Sequence, residues 1–259
     1  MQYSGISRTI KGGNNWKENL FDMLEPLPDI PILFLNRKTI VLADLHLGIE
    51  YELMKNGINI SSQTERLLKK IITIIDDFAP KDVIFLGDIK HNVPYTSKQE
   101  KKEIPDFFLE ISNYSDVYIV KGNHDGNLED LIPNRENIFL YDGRGFSYHG
   151  FGLFHGHAYP FNDVLDCKTG IMAHIHPMIR LTDDLGISNI LPIWLRVPIN
   201  KKDKFAMNEL VVIPAFNDLC GGLAINIMKS RSFGFIESIF SIKKVRAYLL
   251  DGTDLGFII

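Results

Sequence analysis

The side chains of this sequence best suited to chemistry are its histidines and the carboxylates beside them. Of eight histidines, only His149 lies outside five short segments that share one pattern, an apolar run that breaks into Asp, Asn or His. The segments are Val41-Leu42-Ala43-Asp44-Leu45-His46, Ile84-Phe85-Leu86-Gly87-Asp88-Ile89-Lys90-His91, Tyr118-Ile119-Val120-Lys121-Gly122-Asn123-His124-Asp125, Leu153-Phe154-His155-Gly156-His157 and Ile171-Met172-Ala173-His174-Ile175-His176. Together they offer Asp44, His46, Asp88, Asn123, one imidazole from the His155/His157 pair, His174 and His176 as cation ligands. No thiolate is among them, which argues against a structural zinc finger. Mixed carboxylate, amide and imidazole donors suit Mn²⁺, Fe²⁺ or Zn²⁺. Seven ligands exceed the needs of one ion but fit two ions that share a bridging Asp88. Two cations about 3.5–4 Å apart are a device for in-line displacement at phosphorus.

Each segment has a plainer alternative. Asp44 and His46 stand two apart at a strand end, where alternation places both on one face; otherwise they are a turn-capping Asp and a solvated His. Gly87 permits close backbone approach to a ligand, although Gly-Asp is also common in loops. His91, three residues beyond Asp88, can reach back toward the same place. In Gly122-Asn123-His124-Asp125, an Asn-Gly-type turn explains the first pair but not the His-Asp that follows. His124 can act as a general acid near neutral pH, with Asp125 to orient it. Lone histidines near a core are usually structural; two H-x-H pairs at strand ends make that reading weak here.

For such residues to meet, the chain must carry them to one edge. Apolar runs rich in Val and Ile read as buried strands, and α/β folds build sites just past strand ends. Residues 31–35 and 39–43 flank Asn36-Arg37-Lys38, a hairpin-like turn. Residues 62–78 read as a helix, with Ser62 and Glu65 as a capping box and Leu67, Leu68, Ile71, Ile72, Ile75 and Phe78 at helical spacing. Ala79-Pro80 ends it. A strand at 83–86, a helix over about 104–113 with Pro105 early, and a strand at 117–120 complete a βαβ pattern. Glycines at 143, 145 and 150 suggest hairpins within 138–154. Residues 178–199 and 209–216 read as strands. Residues 224–249 read as further strands or a meander, best at 236–240 and 245–249. The expectation is one domain over 1–259, with a Pro-containing lead-in at 1–30 that has room for one short helix, then a βα half and a mostly antiparallel half.

A hydrophobic fraction of 45% with 23% charged residues is ordinary for a globular enzyme. The net charge of −4 supplies no global footprint for nucleic acid. Lys98, Lys101 and Lys102 cluster, but Glu100 and Glu103 dilute them, so a solvated helix face is the better reading. Cys167 and Cys220 are far apart and lack metal spacing; they read as reduced thiols. No run of 18 apolar residues suggests a membrane span, and no apolar core follows Arg8 and Lys11 as in a signal peptide. A cytoplasmic protein is expected.

The ordered string D-x-H, G-D-x-x-H, G-N-H-D, H-G-H and H-x-H, from Asp44 to His176, resembles the calcineurin-like metallophosphoesterase superfamily. Ala173 stands where the last motif usually has Gly. His91 fills a position that is Asp or Asn in most phosphatases of the superfamily, and is similar to its SbcD nuclease branch. The wider context, Ala43–Glu50, Gly87–His91 and Ile213-Pro214-Ala215-Phe216-Asn217, resembles archaeal SbcD-related phosphoesterases and the bacterial PdeM group. The resemblance implies an α/β fold, a sandwich of two β-sheets flanked by helices in four αββα layers. It implies two divalent ions, Mn²⁺ first and Fe²⁺, Zn²⁺ or Ni²⁺ as alternatives. By position, Asp44, His46 and His176 would hold one; Asn123, His155 and His174 the other; and Asp88 would bridge them. The choice of His155 over His157 rests on this alignment alone, and leaves His157 and His149 as hydrogen-bonding residues.

The implied reaction is hydrolysis of a phosphodiester. Asn123 and His91 would steady the phosphoryl oxygens and His124 would protonate the leaving alkoxide, with Asp125 or a backbone group fixing its tautomer. DNA or RNA is the first substrate expected and a small diester such as a cyclic nucleotide the second. SbcD nucleases bind an ATPase through a long C-terminal extension that this chain lacks. A protein-interaction scaffold with the same fold is the rival, but scaffolds of this kind lose the catalytic His or a ligand, and here every position is filled. Apolar segments in 190–250, Trp194 among them, could face a second copy in a homodimer or form the core of the second sheet; core is the reading preferred.

Overall fold

The computed structural model describes residues 23–199, 205–227 and 244–258. The first 22 residues of the expected lead-in and the expected strand at 236–240 lie outside them. Within that lead-in, β1 (Leu24–Pro26) is an edge strand, a position that tolerates proline. It pairs antiparallel with β2 (Leu33–Leu35), and β2 pairs antiparallel with β3 (Thr39–Leu42). The turn between β2 and β3 has Asn36 and Arg37 at φ of 50° and 56°, as a tight hairpin with the twist of its strands requires. From β3 the sheet continues parallel through β4 (Asp82–Leu86), β5 (Asp116–Val120) and β6 (Ile138–Tyr141), in spatial order β1 to β6. The hairpins expected over 138–154 are therefore only half right. β6 stays in the first sheet, and the hairpin is β7 (Phe146–Tyr148) with β8 (Phe151–Leu153).

Three helices belong to this half. α1 (Ile49–Lys55) was not expected; it is a short helix that follows directly on the D-x-H segment. α2 (Thr64–Phe78) buries Leu67, Ile71, Ile74 and Ile75, one stripe at helical spacing. The Ser62/Glu65 capping box does not form. Gln63 is the N-cap, its N–H donates to the Glu50 carboxylate of α1 at 2.6 Å, and Glu65 pairs instead with Lys69 one turn on. The capping box belongs to α3 (Lys98–Ile111): Ser97 Oγ accepts from the Glu100 amide and the Glu100 carboxylate accepts from Ser97 N–H. α3 thus starts six residues before the expected point and holds Pro105 in its interior. Lys98, Lys101 and Lys102 line its exposed face.

The second sheet is mixed. Its order is β13 (Leu223–Ala224), β10 (Pro177–Thr182), β11 (Ser188–Pro198), β12 (Glu209–Val212), β9 (Thr169–Met172), β8, β7, while β14 (Arg246–Leu249) pairs with β11 and with β15 (Asp254–Phe257). β8, β9 and β12 run parallel to one another.

Strand alternation assigns the cores. Ile40, Val83 and Phe85 face outward onto Leu67, Ile71, Phe107 and Phe108 of α2 and α3. Val41, Ile84 and Leu86 face inward onto Leu153, Ile171 and Trp194 of the second sheet. Both faces are covered, so these strands read as unbroken apolar runs. Trp194 belongs to this core, 1% exposed. A polar pin joins the sheets where Tyr148 Oη donates to Asp82 Oδ2 at 2.8 Å. The outer face of the second sheet packs against Val164 of α4 (Asn162–Leu165), Met207, Ile225 and Val245. The architecture is the expected mixed α/β pair of sheets flanked by helices. No described helix is long and apolar enough to cross a membrane.

Candidate metal centre

The parallel strands of both sheets end at one edge. Asp44, Asp88 and Asn123 follow β3, β4 and β5; His155, His174 and His176 follow β8 and β9. Backbone bonds lock adjacent loops together: Asp44 N–H donates to Gly87 O at 3.0 Å, His46 N–H to Asp88 O at 2.9 Å, and Ala173 N–H to His155 O at 3.0 Å.

Alternation is not what turns Asp44 and His46 to one side. Five of the seven expected ligands have positive φ: Asp44 at 56°, His46 at 43°, Asp88 at 50°, His174 at 73° and His176 at 42°. Each left-handed non-glycine residue costs about 1–3 kcal/mol and persists only where its surroundings impose it. In D-x-H and H-x-H alike, two left-handed residues flank an apolar anchor, Leu45 or Ile175, that is buried. The two glycines of the central motifs serve close approach. A Cβ on Gly87 would stand 2.2 Å from His155 Nδ1, and one on Gly122 would stand 2.2 Å from Asp88 Oδ1.

Ligand atoms gather in two groups that share Asp88. Asp44, His46, Asp88 and His176 present atoms all within 4.8 Å of one another, and so do Asp88, His155 and His174. Asn123 Oδ1 lies 3.3 Å from His155 Nε2, which brings all seven expected ligands together. His155 Nδ1 donates to Leu86 O at 2.8 Å, and His176 Nδ1 donates to Gly221 O at 2.9 Å. Both imidazoles thereby turn Nε2 inward, where a cation would take the place of its proton. His155 Nε2 is 3.5 Å from Asp88 Oδ2, and His176 Nε2 is 3.4 Å from Asp44 Oδ1. His157 stands outside both groups, its ring 5.2 Å from that of His155.

The charges fit cations. Asp44 is fully buried, yet neither carboxylate oxygen has a hydrogen-bond partner; the buried Nε2 atoms of His46 and His176 have none either. A buried carboxylate left without a partner costs several kcal/mol. Burial outweighs Asp88 and Asp44 at His46 and lowers its pKa to about 3. At His155 burial pulls the same way, but the Asp88 carboxylate prevails and holds it at about 9. His176 is held at about 8, where Asp44 outweighs burial. Burial and the His155 charge bring His174 down to about 4. Acidic and imidazole donors with orphaned lone pairs, aimed at one space, suit divalent cations.

The three remaining expected residues flank this space. His124 N–H donates to Asp88 Oδ1 at 2.9 Å, and His124 Nδ1 meets His91 O at 2.5 Å. Asp125 does not touch the His124 ring. It is fully buried and accepts from the backbone N–H groups of Ile89, Lys90 and Gly122, at 2.7–3.1 Å. Of the two groups expected to fix the His124 tautomer, the backbone one is in contact. His91 is also engaged at both nitrogens, Nδ1 with His46 Nδ1 at 3.2 Å and Nε2 with the Glu52 carboxylate of α1. Two glutamates missed in the sequence therefore shape the site. Glu52 reaches His91 from α1, and buried Glu100 accepts from His91 N–H and Asn92 N–H at 3.0 and 2.8 Å. The capping-box spacing from Ser97 could have found Glu100; nothing in the sequence marks Glu52.

Among solved structures, the chain is similar to the crystal structure of Pseudomonas putida nuclease MPE, at 18% identity over 88% of this chain and 95% of that one, with a TM-score of 0.53. At that identity the likeness concerns the fold. It is also similar to YfcE, a phosphoesterase from E. coli, at 10% identity over 84% of this chain and 96% of that one, with a TM-score of 0.41. No curated protein matches the chain. The model of the calcineurin-like phosphoesterase family matches residues 37–211. That stretch covers most of the chain and all seven gathered ligands, so the chain belongs to the calcineurin-like phosphoesterases.

Proposed function

We propose that this chain is a dinuclear metal-dependent phosphodiesterase. The observation that carries the reading is Asp88, one carboxylate common to two groups of ligand atoms, in a family of phosphoesterases. Asp44, His46 and His176 would hold one cation, Asn123, His155 and His174 the other, and Asp88 both. The donor set favours Mn²⁺, with Fe²⁺, Zn²⁺ or Ni²⁺ as alternatives. When bound, such a pair supplies Lewis-acid activation of water and neutralises charge that develops at phosphorus.

The chain's own residues supply the rest. His124, with Nδ1 donating to the His91 carbonyl, would give up the Nε2 proton of its imidazolium form to a leaving alkoxide. General acid help of this kind is worth roughly 10²–10⁴ in rate. Glu52 accepts from His91 Nε2–H; His91 Nδ1 then accepts from His46 Nδ1–H, and His46 keeps an unprotonated Nε2 near Asp88, 3.6 Å from Oδ2. That relay sets the tautomer of a ligand. Asp125 holds the two loops that carry Asp88 and Asn123 in register through their amides. Asn123, exposed at the mouth, is free to meet a phosphoryl oxygen.

A diester rather than a monoester is supported by His91 at the position most phosphatases fill with Asp or Asn. It is supported too by Glu52, whose charge at the mouth opposes a dianionic monoester more than a monoanionic diester. The SbcD and PdeM likeness of the motifs supports a nuclease acting on DNA or RNA; a small cyclic diester is the second reading. The test is a panel of phosphomonoesters, bis-p-nitrophenyl phosphate, cyclic nucleotides, single-stranded DNA and RNA, each with Mn²⁺, Fe²⁺, Zn²⁺ and Ni²⁺. Diester turnover that depends on metal and disappears in Asp88→Asn supports the proposal. Turnover of monoesters alone, or none with any metal, overturns it.

A further inference from the structure

We propose that Cys220 gives a sulfur donor to the cation held by Asp44, His46, Asp88 and His176, so that the two metal positions differ in hardness. The inference rests on reading that group as a cation site. Cys220 Sγ stands with ligand nitrogens of His46 and His176, all within 4.8 Å of one another. The Nε2 atoms of both histidines and both Asp44 oxygens are buried there without hydrogen-bond partners, and His46 is only 4% exposed. The thiol approaches the Asp44 carbonyl at 3.7 Å, a weak contact that places the sulfur beside the residue that anchors the group.

The loop that carries Cys220 is tied to both ligand segments. It leaves β12 through Ile213-Pro214-Ala215-Phe216-Asn217, a segment singled out in the sequence. Phe216 N–H donates to Ala43 O at 2.9 Å, and Asn217 Nδ2 donates to Leu45 O at 2.8 Å, so the loop brackets Asp44 on both sides. Cys220 N–H donates to Asn217 O at 3.0 Å. The next residue, Gly221, offers the carbonyl that orients His176. Cys220 thus sits between one tether to the D-x-H segment and one to the H-x-H segment. Such outer contacts are what fix a ligand's aim at a metal. On coordination the thiol gives up its proton to solvent and the sulfur bonds the cation. A sulfur donor favours Zn²⁺ and other soft ions over Mn²⁺ at this position alone.

The experiment loads the full chain with Co²⁺ and records its near-ultraviolet spectrum, then compares Zn²⁺ and Mn²⁺ affinities. The wild-type chain and Cys167→Ser should show a sulfur-to-cobalt charge-transfer band that Cys220→Ser and Cys220→Ala both lack. Both Cys220 variants should keep Mn²⁺ stoichiometry and lose about 10–100-fold in Zn²⁺ affinity. A wild-type chain that binds Co²⁺ without the band, or variants that retain the band and the affinity ratio, would overturn the role of Cys220 and leave the dinuclear site standing. A wild-type chain that binds neither Co²⁺ nor Mn²⁺ would overturn both.

Discussion

The two ligand groups that share Asp88 are built differently. In the first, Asp44, His46, Asp88 and His176 all have positive φ, and the first three are at most 4% exposed. Neighbouring loops hold this strained backbone through the Gly87, Asp88 and Ala43 carbonyls. In the second, His155 is fully buried on ordinary backbone, its room made by Gly87, while Asn123 is exposed and His174, left-handed at 73°, is half-buried. The first group is closed and preorganised. The second opens to solvent through the residues a phosphoryl oxygen would meet. Strain runs through every member of the first group and only Asp88 and His174 of the second, and exposure is greatest at Asn123, where substrate would enter.

The comparison can be broken at its shared member. Asp88→Asn should abolish binding at both positions, reduce diester turnover to background and remove the thermal stabilisation by Mn²⁺, about 2.7 kcal/mol per site at a hundredfold excess over Kd in the parent; calorimetry with and without Mn²⁺ reads it. His124→Ala removes no expected ligand and keeps the backbone N–H that meets Asp88. It should keep Mn²⁺ stoichiometry and lose roughly 10²–10⁴ in turnover of a diester with an alkyl leaving group. A smaller loss with an aryl leaving group, which needs less acid help, would sharpen the assignment.

Two substitutions separate the groups. Gly87→Ala drives a Cβ into His155 and should weaken the second position by about 10–100-fold, with the first less affected. Asn217→Ala frees the Leu45 carbonyl and should do the reverse. Sequential Mn²⁺ titration by isothermal calorimetry distinguishes them, and equal weakening of both positions by either variant would mean that the groups are not independent. Glu52→Gln is the mildest change. It leaves His91 a neutral partner and should lower turnover by about tenfold or less, with a gain for monoesters relative to diesters.

The ligand residues were legible because each ends an apolar run whose two faces are both covered, and such runs stand out in any sequence. The helix stripe of α2 was legible for the same reason. What escaped depends on distant residues. Glu50 satisfies the N-terminus of α2 from another helix, so Ser62 and Glu65 looked like a capping box that never forms. Glu100 caps α3 and also grips the His91 loop, whereas its spacing among lysines suggested only a solvated face. β6 leaves the hairpin expected of it because it pairs parallel with β5, the strand before it, rather than with the strand after it. Left-handed Asp and His residues leave no mark in composition, and Asp44 and His46 reached one side by a backbone route that alternation does not describe. Cys220 looked unrelated to the histidines since 44 positions separate it from His176 and the loop closes that distance only in three dimensions.

The central claim is that one carboxylate joins two cations. Anomalous diffraction from Mn²⁺-loaded crystals of the full chain tests it most directly. Two peaks per chain are expected, on either side of Asp88, with Asp44, His46 and His176 around one and Asn123, His155 and His174 around the other. A single peak, or two peaks that do not have Asp88 between them, would contradict it.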